Sequence, residues 1–188
     1  DGKQLTLEPL KRSGNRLGLE GFDPCVVLLN NDLSAGIPDV LRNLEQPLFP
    51  PLHAGWAVRR KSVHFAAYND VAKDFAQHFG IDPWLINPYF EMCGKINFQE
   101  RQGEDCLAGY VSEILTDIRA KYKEYGITEE PFVIIKADAG TYGMGIMTVK
   151  DASEVRGLNR KQRNKMAVVK EGMAVQEVLV QEGVHTCE

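Results

Sequence analysis

The sequence predicts an α+β fold. Short apolar runs bounded by turn residues read as strands, as at 25–29 and 132–135. Two longer stretches instead repeat their apolar residues every three to four positions, the period of a helix with one buried face. From residue 106 onward the order reads helix, strand, glycine loop, strand, helix, strand. With 188 residues, 44% of them hydrophobic, the chain is long enough to bury a sizeable core as one domain or two small lobes.

Residues 1–24 are polar, contain glycine and show no clear period. Cys25 to Leu29 then reads as a buried strand running into a loop at Asn30–Asp39. The stretch QPLFPPLHAGW is too rich in proline for a regular helix and reads as the connection between two lobes, 1–52 and 53–188. Phe65, Tyr68, Ala72, Phe75 and Phe79 line one face of a first helix, with Ser62 to cap its start and Gly80 to end it. IDPWLINPYF has two X-Pro steps and reads as an extended, packed segment. A second helix runs from about Cys106 to Tyr125, with Leu107, Val111, Ile114, Ile118 and Tyr122 on one face and Gly126 as its stop. Phe132–Ile135, Ile146–Val149 and Ala174–Gln181 read as strands, and the basic segment Glu154–Met166 as a helix.

Composition removes several function classes. A net charge of −4 gives no support to general polyanion binding. No run of about 18 apolar residues is present to span a membrane. Cys25, Cys93, Cys106 and Cys187 form no CxxC pair and have no histidine at ligand spacing, which argues against zinc and for a reduced, cytoplasmic protein. Arg156, Arg160, Lys161, Arg163 and Lys165 concentrate charge, with Arg156, Arg160 and Arg163 on one side of the predicted helix. No aromatic residue interleaves to stack on bases, so a solvated helix is the favoured reading over a nucleic-acid contact.

The chemistry concentrates in PFVIIKADAGTYGMGIMTVK. An apolar strand delivers Lys136 into a loop containing Ala139, Gly140, Thr141, Tyr142, Gly143, Met144 and Gly145, and a second apolar strand follows. Glycines allow positive φ and a close backbone approach, and successive N–H groups can then cradle an anionic oxygen. The spacing is neither GxxxxGK[ST] nor the dinucleotide fingerprint, and no helix follows it. A strand–loop–strand setting suits a lid over a triphosphate, as in the glycine loop of protein kinases. A mobile hairpin tip is the plainer reading. The last strand ends at Gln181, Glu182, Gly183 and Val184, where backbone donors and acceptors can meet an adenine edge. Arg59, Arg60 and Lys61 form a cationic cluster able to bind a substrate carboxylate or phosphate, or to be a solvated charge run.

Together NNDLSAGIP, GWAVRRKSVHF, GIDPWLINPYF, KADAGTYGMGIMTV, LNRKQRNKM and VQEGVHT, in this order, resemble the proteobacterial-type glutamate–cysteine ligases, relatives of glutathione synthetases in the ATP-grasp superfamily. The resemblance implies an incomplete ATP-grasp-like, glutathione synthetase-type fold: part of a substrate-side domain in 1–52, and the N-terminal portion of the ATP-grasp domain, with its lid, in 53–188. It implies ATP and Mg2+, and activation of the glutamate γ-carboxylate as an acyl phosphate for attack by the amine of cysteine. Lys136 and Ala139–Gly145 would then serve the polyphosphate, and Gln181, Glu182 and Val184 the adenine. Asn31, Asp32 and Ser34 become candidates near the amino-acid substrate, with an Asx turn as the plainer reading. Lys61 becomes a candidate for the first of the two ATP-grasp lysines. The metal ligands are expected beyond Glu188, so this piece alone is expected to be nearly inactive. The partners implied are small molecules, with neither nucleic acid nor membrane, and a homo-oligomer stays open. Another carboxylate–amine pair, or a remnant that binds a nucleotide or nucleic acid without catalysis, remains as an alternative.

Overall fold

The computed structural model describes residues 4, 6–31, 33, 36–54, 59–139, 143–168 and 174–186. By internal contacts the chain forms two units, Asp1–Val58 and Arg59–Glu188.

The first unit is built from two small sheets. Strands β1 (Lys11–Ser13) and β2 (Arg16–Gly18) form an antiparallel hairpin, with Arg12 opposite Leu17. Gly14 takes a φ of 57° in the turn, a conformation that glycine adopts without a steric penalty. This hairpin lies in the stretch for which the sequence shows no period. Strands β3 (Val27–Leu28) and β4 (Leu48–Phe49) pair in parallel, so the apolar run at Cys25–Leu29 yields only a two-residue strand. The Gln46 carboxamide joins these parts: its oxygen accepts from Leu17 N at 2.6 Å, and its nitrogen donates to Leu17 O and Pro24 O, each at 2.7 Å. Leu17, Leu33 and Leu41 form the small core beside it.

The second unit is a four-stranded antiparallel sheet with helices packed on it. In chain order it contains helix α1 (Lys61–Phe79), strand β5 (Phe90–Gly94), helix α2 (Glu104–Tyr125) and strands β6 (Val133–Ala137) and β7 (Ile146–Val149). Helices α3 (Ala152–Arg156) and α4 (Arg160–Ala167) follow, and then strand β8 (Glu177–Glu182). The strand order is β5-β8-β6-β7. Helix α2 buries Leu107, Val111, Ile114, Ile118 and Tyr122 as its period predicts, and Gly126 ends it in the left-handed region. Each such aliphatic side chain contributes roughly 1.5–3 kcal/mol relative to an exposed one. The sheet face under α2 carries Val133, Ile135, Ala137, Val178 and Val180. Because successive strand residues point to opposite faces, Ile134, Lys136, Leu179 and Gln181 share the other face. Among the described residues no helix is long and apolar enough to cross a membrane.

Three local expectations need correction. Ser62 does not cap α1 with its side chain onto the helix: its N–H and hydroxyl both donate to Asp138, at 2.7 and 3.0 Å, and Arg60 is the cap residue. The basic segment is two helices, because the chain breaks at Gly157–Leu158 and Asn159 restarts it with a reciprocal capping box to Gln162. Arg156, Arg160 and Arg163 therefore do not share one helix side. Arg156 pairs with Asp105 at 3.0 Å, and Arg163 donates to Leu158 O at 2.6 Å. Finally, the predicted apolar face of α1 is only partly covered: Ala72 and Ala76 are buried, while Tyr68, Phe75 and Phe79 are exposed.

Candidate functional site

The site is assembled where β6 runs into the glycine loop. Lys136 is the last residue but one of β6 and points away from α2. Its ammonium donates to the Gln181 side-chain oxygen on the neighbouring strand β8. It also lies 5.0 Å from the centroid of the Phe65 ring, whose neighbour is Phe90 at 5.7 Å. Burial lowers the pKa of Lys136, and repulsion from Lys61 lowers it further. The two lysines, 75 positions apart in sequence, therefore act on one electrostatic neighbourhood.

Lys61 opens α1, and its Nζ donates to Ala137 O at 2.6 Å and Asp138 O at 3.3 Å. Its pKa is lowered first by burial. The Asp138 carboxylate raises it again, and the positive charges of Arg59 and Arg60 lower it. Asp138 is almost fully buried and binds the start of α1 twice, through Ser62 N and Ser62 Oγ. A carboxylate at a helix N-terminus satisfies open N–H groups and meets the positive end of the helix dipole. The root of the glycine loop is thereby anchored to α1.

Past Asp138 the loop includes Ala139, then Gly140, Thr141 and Tyr142, which lie outside the described residues. It returns through Gly143 and Gly145, at φ of 68° and 63°, with Met144 exposed between them. Gly145 O accepts from Ala137 N at 3.0 Å and closes the base. Arg60, Ala137, Ala139, Ala174, Gln176 and Glu177 line a hollow of about 280 Å³ beside it.

This arrangement can hold an oxyanion. Lys136 and Lys61 sit half-buried at the C-terminal end of β6, Arg59 and Arg60 lie at the surface next to them, and two left-handed glycines shape the loop above. Low local dielectric strengthens such cation–anion contacts. The family description matching residues 1–188 is glutamate–cysteine ligase. The chain belongs to the glutamate–cysteine ligase family. A crystal structure assigned as a gamma-glutamylcysteine synthetase, from Methylobacillus flagellatus KT, shares 64% sequence identity with it and superposes with a TM-score of 0.87. The match covers 99% of this chain and 44% of that one, so the chain spans less than half the length of this relative. No curated protein matches.

Within this family member, the end of β8 divides its duties by face. Gln181 turns toward Lys136, whereas Glu182 turns toward α2. The Glu182 carboxylate accepts from Trp84 Nε1 at 3.0 Å and Tyr89 N at 2.9 Å. Burial raises its pKa, against the opposing effect of those two donors. The Glu182 and Gly183 N–H groups are also engaged, by Tyr89 O and Phe132 O, each at 2.8 Å. Among the described residues the Val184 N–H has no such partner, and Val184 is exposed. On the α2 side, Trp84, Ile86, Tyr122, Gly183, Val184 and His185 line a cleft of about 510 Å³.

The remaining sequence candidates fall elsewhere. Asn31 is in the first unit, where its Oδ1 accepts from Leu33 N at 2.8 Å in an Asx turn. Asp32 and Ser34 lie outside the described residues. Sequence reasoning missed the anchoring role of Asp138 and the rings of Phe65 and Phe90. Asp138 follows Lys136 by two positions, which was a visible signal of proximity to the loop, but its partner Ser62 lies 76 positions away. Among the described residues, no group of three or more His, Cys, Asp and Glu side chains comes together to hold a metal ion.

Proposed function

We propose that this chain carries the nucleotide-binding portion of an ATP-grasp glutamate–cysteine ligase. The observation that carries the reading is the convergence of Lys136, Lys61 and the glycine-loop root on one face of the antiparallel sheet, in a chain of this family. Residues 1–52 belong on the substrate side and 53–188 on the nucleotide side. ATP lies against the face that bears Lys136, with its phosphates at the loop. The Lys136 ammonium, pre-oriented by Gln181 and Phe65, donates to a phosphate oxygen, and Lys61 adds positive charge. Ala139 through Gly145 close over the transferring group and exclude water. The Val184 N–H meets the adenine edge, since its two predecessors are spent on Tyr89 O and Phe132 O.

The γ-carboxylate of glutamate attacks the terminal phosphorus and ADP leaves. The amine of cysteine then attacks the resulting acyl phosphate, expelling phosphate and forming γ-glutamylcysteine. Arg59 and Arg60 are suited to the carboxylates of an amino-acid substrate, with Asn31, Asp32 and Ser34 as further candidates. Mg2+ accompanies ATP in this reading, and among the described residues no group of three or more His, Cys, Asp and Glu side chains is assembled to hold it. The protein works in a reducing cytoplasm on small molecules. The nucleic-acid alternative is disfavoured by the broken basic segment, where Arg156 and Arg163 are engaged within the fold.

The test is nucleotide affinity in the full-length protein. Loss of a charge-assisted hydrogen bond is worth about 1.5–3 kcal/mol, so Lys136→Ala should weaken ATP binding roughly 10- to 100-fold. Lys150→Ala, which removes an exposed lysine paired with Glu130, should leave it unchanged. Equal affinity in wild type and Lys136→Ala removes the site from this face. Release of ADP that requires glutamate and cysteine together identifies the substrates; release with another pair assigns a different carboxylate–amine ligase.

A further inference from the structure

Strand β5 and the first turn of α2 bring two thiols together away from the loop. Cys93 Sγ and Cys106 Sγ lie 3.5 Å apart. Both are free thiols, with Cys93 almost fully buried and Cys106 exposed. The pair differs in role as well as in burial: burial, followed by the hydrogen bond to Cys106, pushes the Cys93 thiol up to about 12. Cys93 is therefore held as a neutral thiol, out of reach of solvent, directly behind a thiol that solvent can reach. Disulfide bonding needs an S–S distance near 2.05 Å, so closure asks for a sulfur displacement of about 1.5 Å. A metal role lacks support, since no third ligand joins them among the described residues.

We propose that Cys93 and Cys106 are a reversible thiol–disulfide site, oxidised by low-molecular-weight disulfides. Cys106, as thiolate, attacks one sulfur of a small disulfide RSSR, forms a mixed disulfide and releases RS⁻. Cys93 then passes its proton to the released RS⁻ and attacks the Cys106 sulfur, expelling the second RS⁻. The net change is two protein thiols and RSSR converted to one intrachain disulfide and two RSH. The new bond joins β5 to α2 three residues from Phe90, which faces Gln181 in the ladder and packs on Phe65. Oxidation thus staples the edge strand that supports the Lys136 face. The site is independent of the nucleotide reading.

The full-length protein is incubated with glutathione disulfide, quenched with N-ethylmaleimide at intervals, digested without reduction and analysed by mass spectrometry. The expected product is a linked peptide pair containing Cys93 and Cys106, about 2 Da lighter than the two reduced peptides together, and lost on addition of dithiothreitol. The mixed disulfide at Cys106 should be transient in the wild type and persistent in Cys93→Ala. Cys25, exposed and distant in sequence, should accumulate a stable mixed disulfide and serves as the internal reference. A stable adduct at Cys106 in the wild type, or a Cys106 that stays reduced while Cys25 reacts, overturns the proposal. The wild-type time course decides the matter even if the variant does not fold.

Discussion

Replacing Asp138 by alanine tests whether the root of the glycine loop holds α1 in place. The carboxylate is almost fully buried and accepts from Ser62 N at 2.7 Å and Ser62 Oγ at 3.0 Å. Hydrogen bonds to a charged group contribute about 1.5–3 kcal/mol each. The helix start is close to solvent, however, and water can replace part of what is lost. Substitution of a helix cap typically costs about 0.5–2 kcal/mol. Asp138 also faces the positive helix end and the Lys61 ammonium, so the total should lie near the top of that range, about 2 kcal/mol. For a unit the size of Arg59–Glu188, this lowers the unfolding midpoint by roughly 6–10 °C. Asp138→Asn keeps an acceptor for Ser62 N but loses the charge, and should cost about half as much. Thermal unfolding followed by circular dichroism reads both. A midpoint for Asp138→Ala within about 1 °C of wild type would refute the anchoring role.

Three further outcomes follow from the same geometry. Glu182 has its pKa raised above the ordinary 4.5, chiefly by burial, so the folded state holds that proton more tightly than the unfolded state. Its contribution is present below that value and lost as pH rises through the folded one. The stability of wild type relative to Glu182→Gln should therefore fall as pH rises above about 4.5; denaturant titrations that give a constant or growing gap would contradict this. A Cβ at Gly183 would stand 2.0 Å from Phe132 Cε2, so Gly183→Ala should destabilise by about 1–3 kcal/mol, and an unaltered urea midpoint would show that the ring moves freely. Lys136 and Lys61 both have pKa values below 10.5, so an anion bound between them should draw protons back onto them. Calorimetry in buffers of different ionisation heat should report proton uptake on ATP binding at alkaline pH. Proton release there would count against both lysines facing the nucleotide.

Helix α2 was legible in the sequence because one buried face runs its whole length, and the left-handed Gly126 marks its end. Strand β6 and its delivery of Lys136 into a glycine loop were legible because a short apolar run and glycine turn chemistry are local signals. Strand β5 was not, since Met92 is exposed and Cys93 buried within a run too short to display a period. The β1–β2 hairpin exposes Lys11, Arg12 and Ser13 alike, so no apolar face betrays it; the Gly14-Asn15 turn was the available signal. Asn159 with Gln162 likewise announced a second helix start inside the basic segment. The meeting of Lys61, Ser62 and Asp138 had no local signal, because it depends on where β6 ends in three dimensions. Phe75 and Phe79 show the reverse limit: their spacing identifies an apolar side of α1 but not what covers it.

The partner of Lys136 has a consequence of its own. Gln181 presents an uncharged oxygen to the ammonium, while the carboxylate of the very next residue is turned to the other face of the sheet. A carboxamide aims a cation without neutralising it. Strand alternation by a single position thus separates steering from cancellation, and among the described residues Lys136 meets no carboxylate: it is an oriented charge rather than half of a salt bridge.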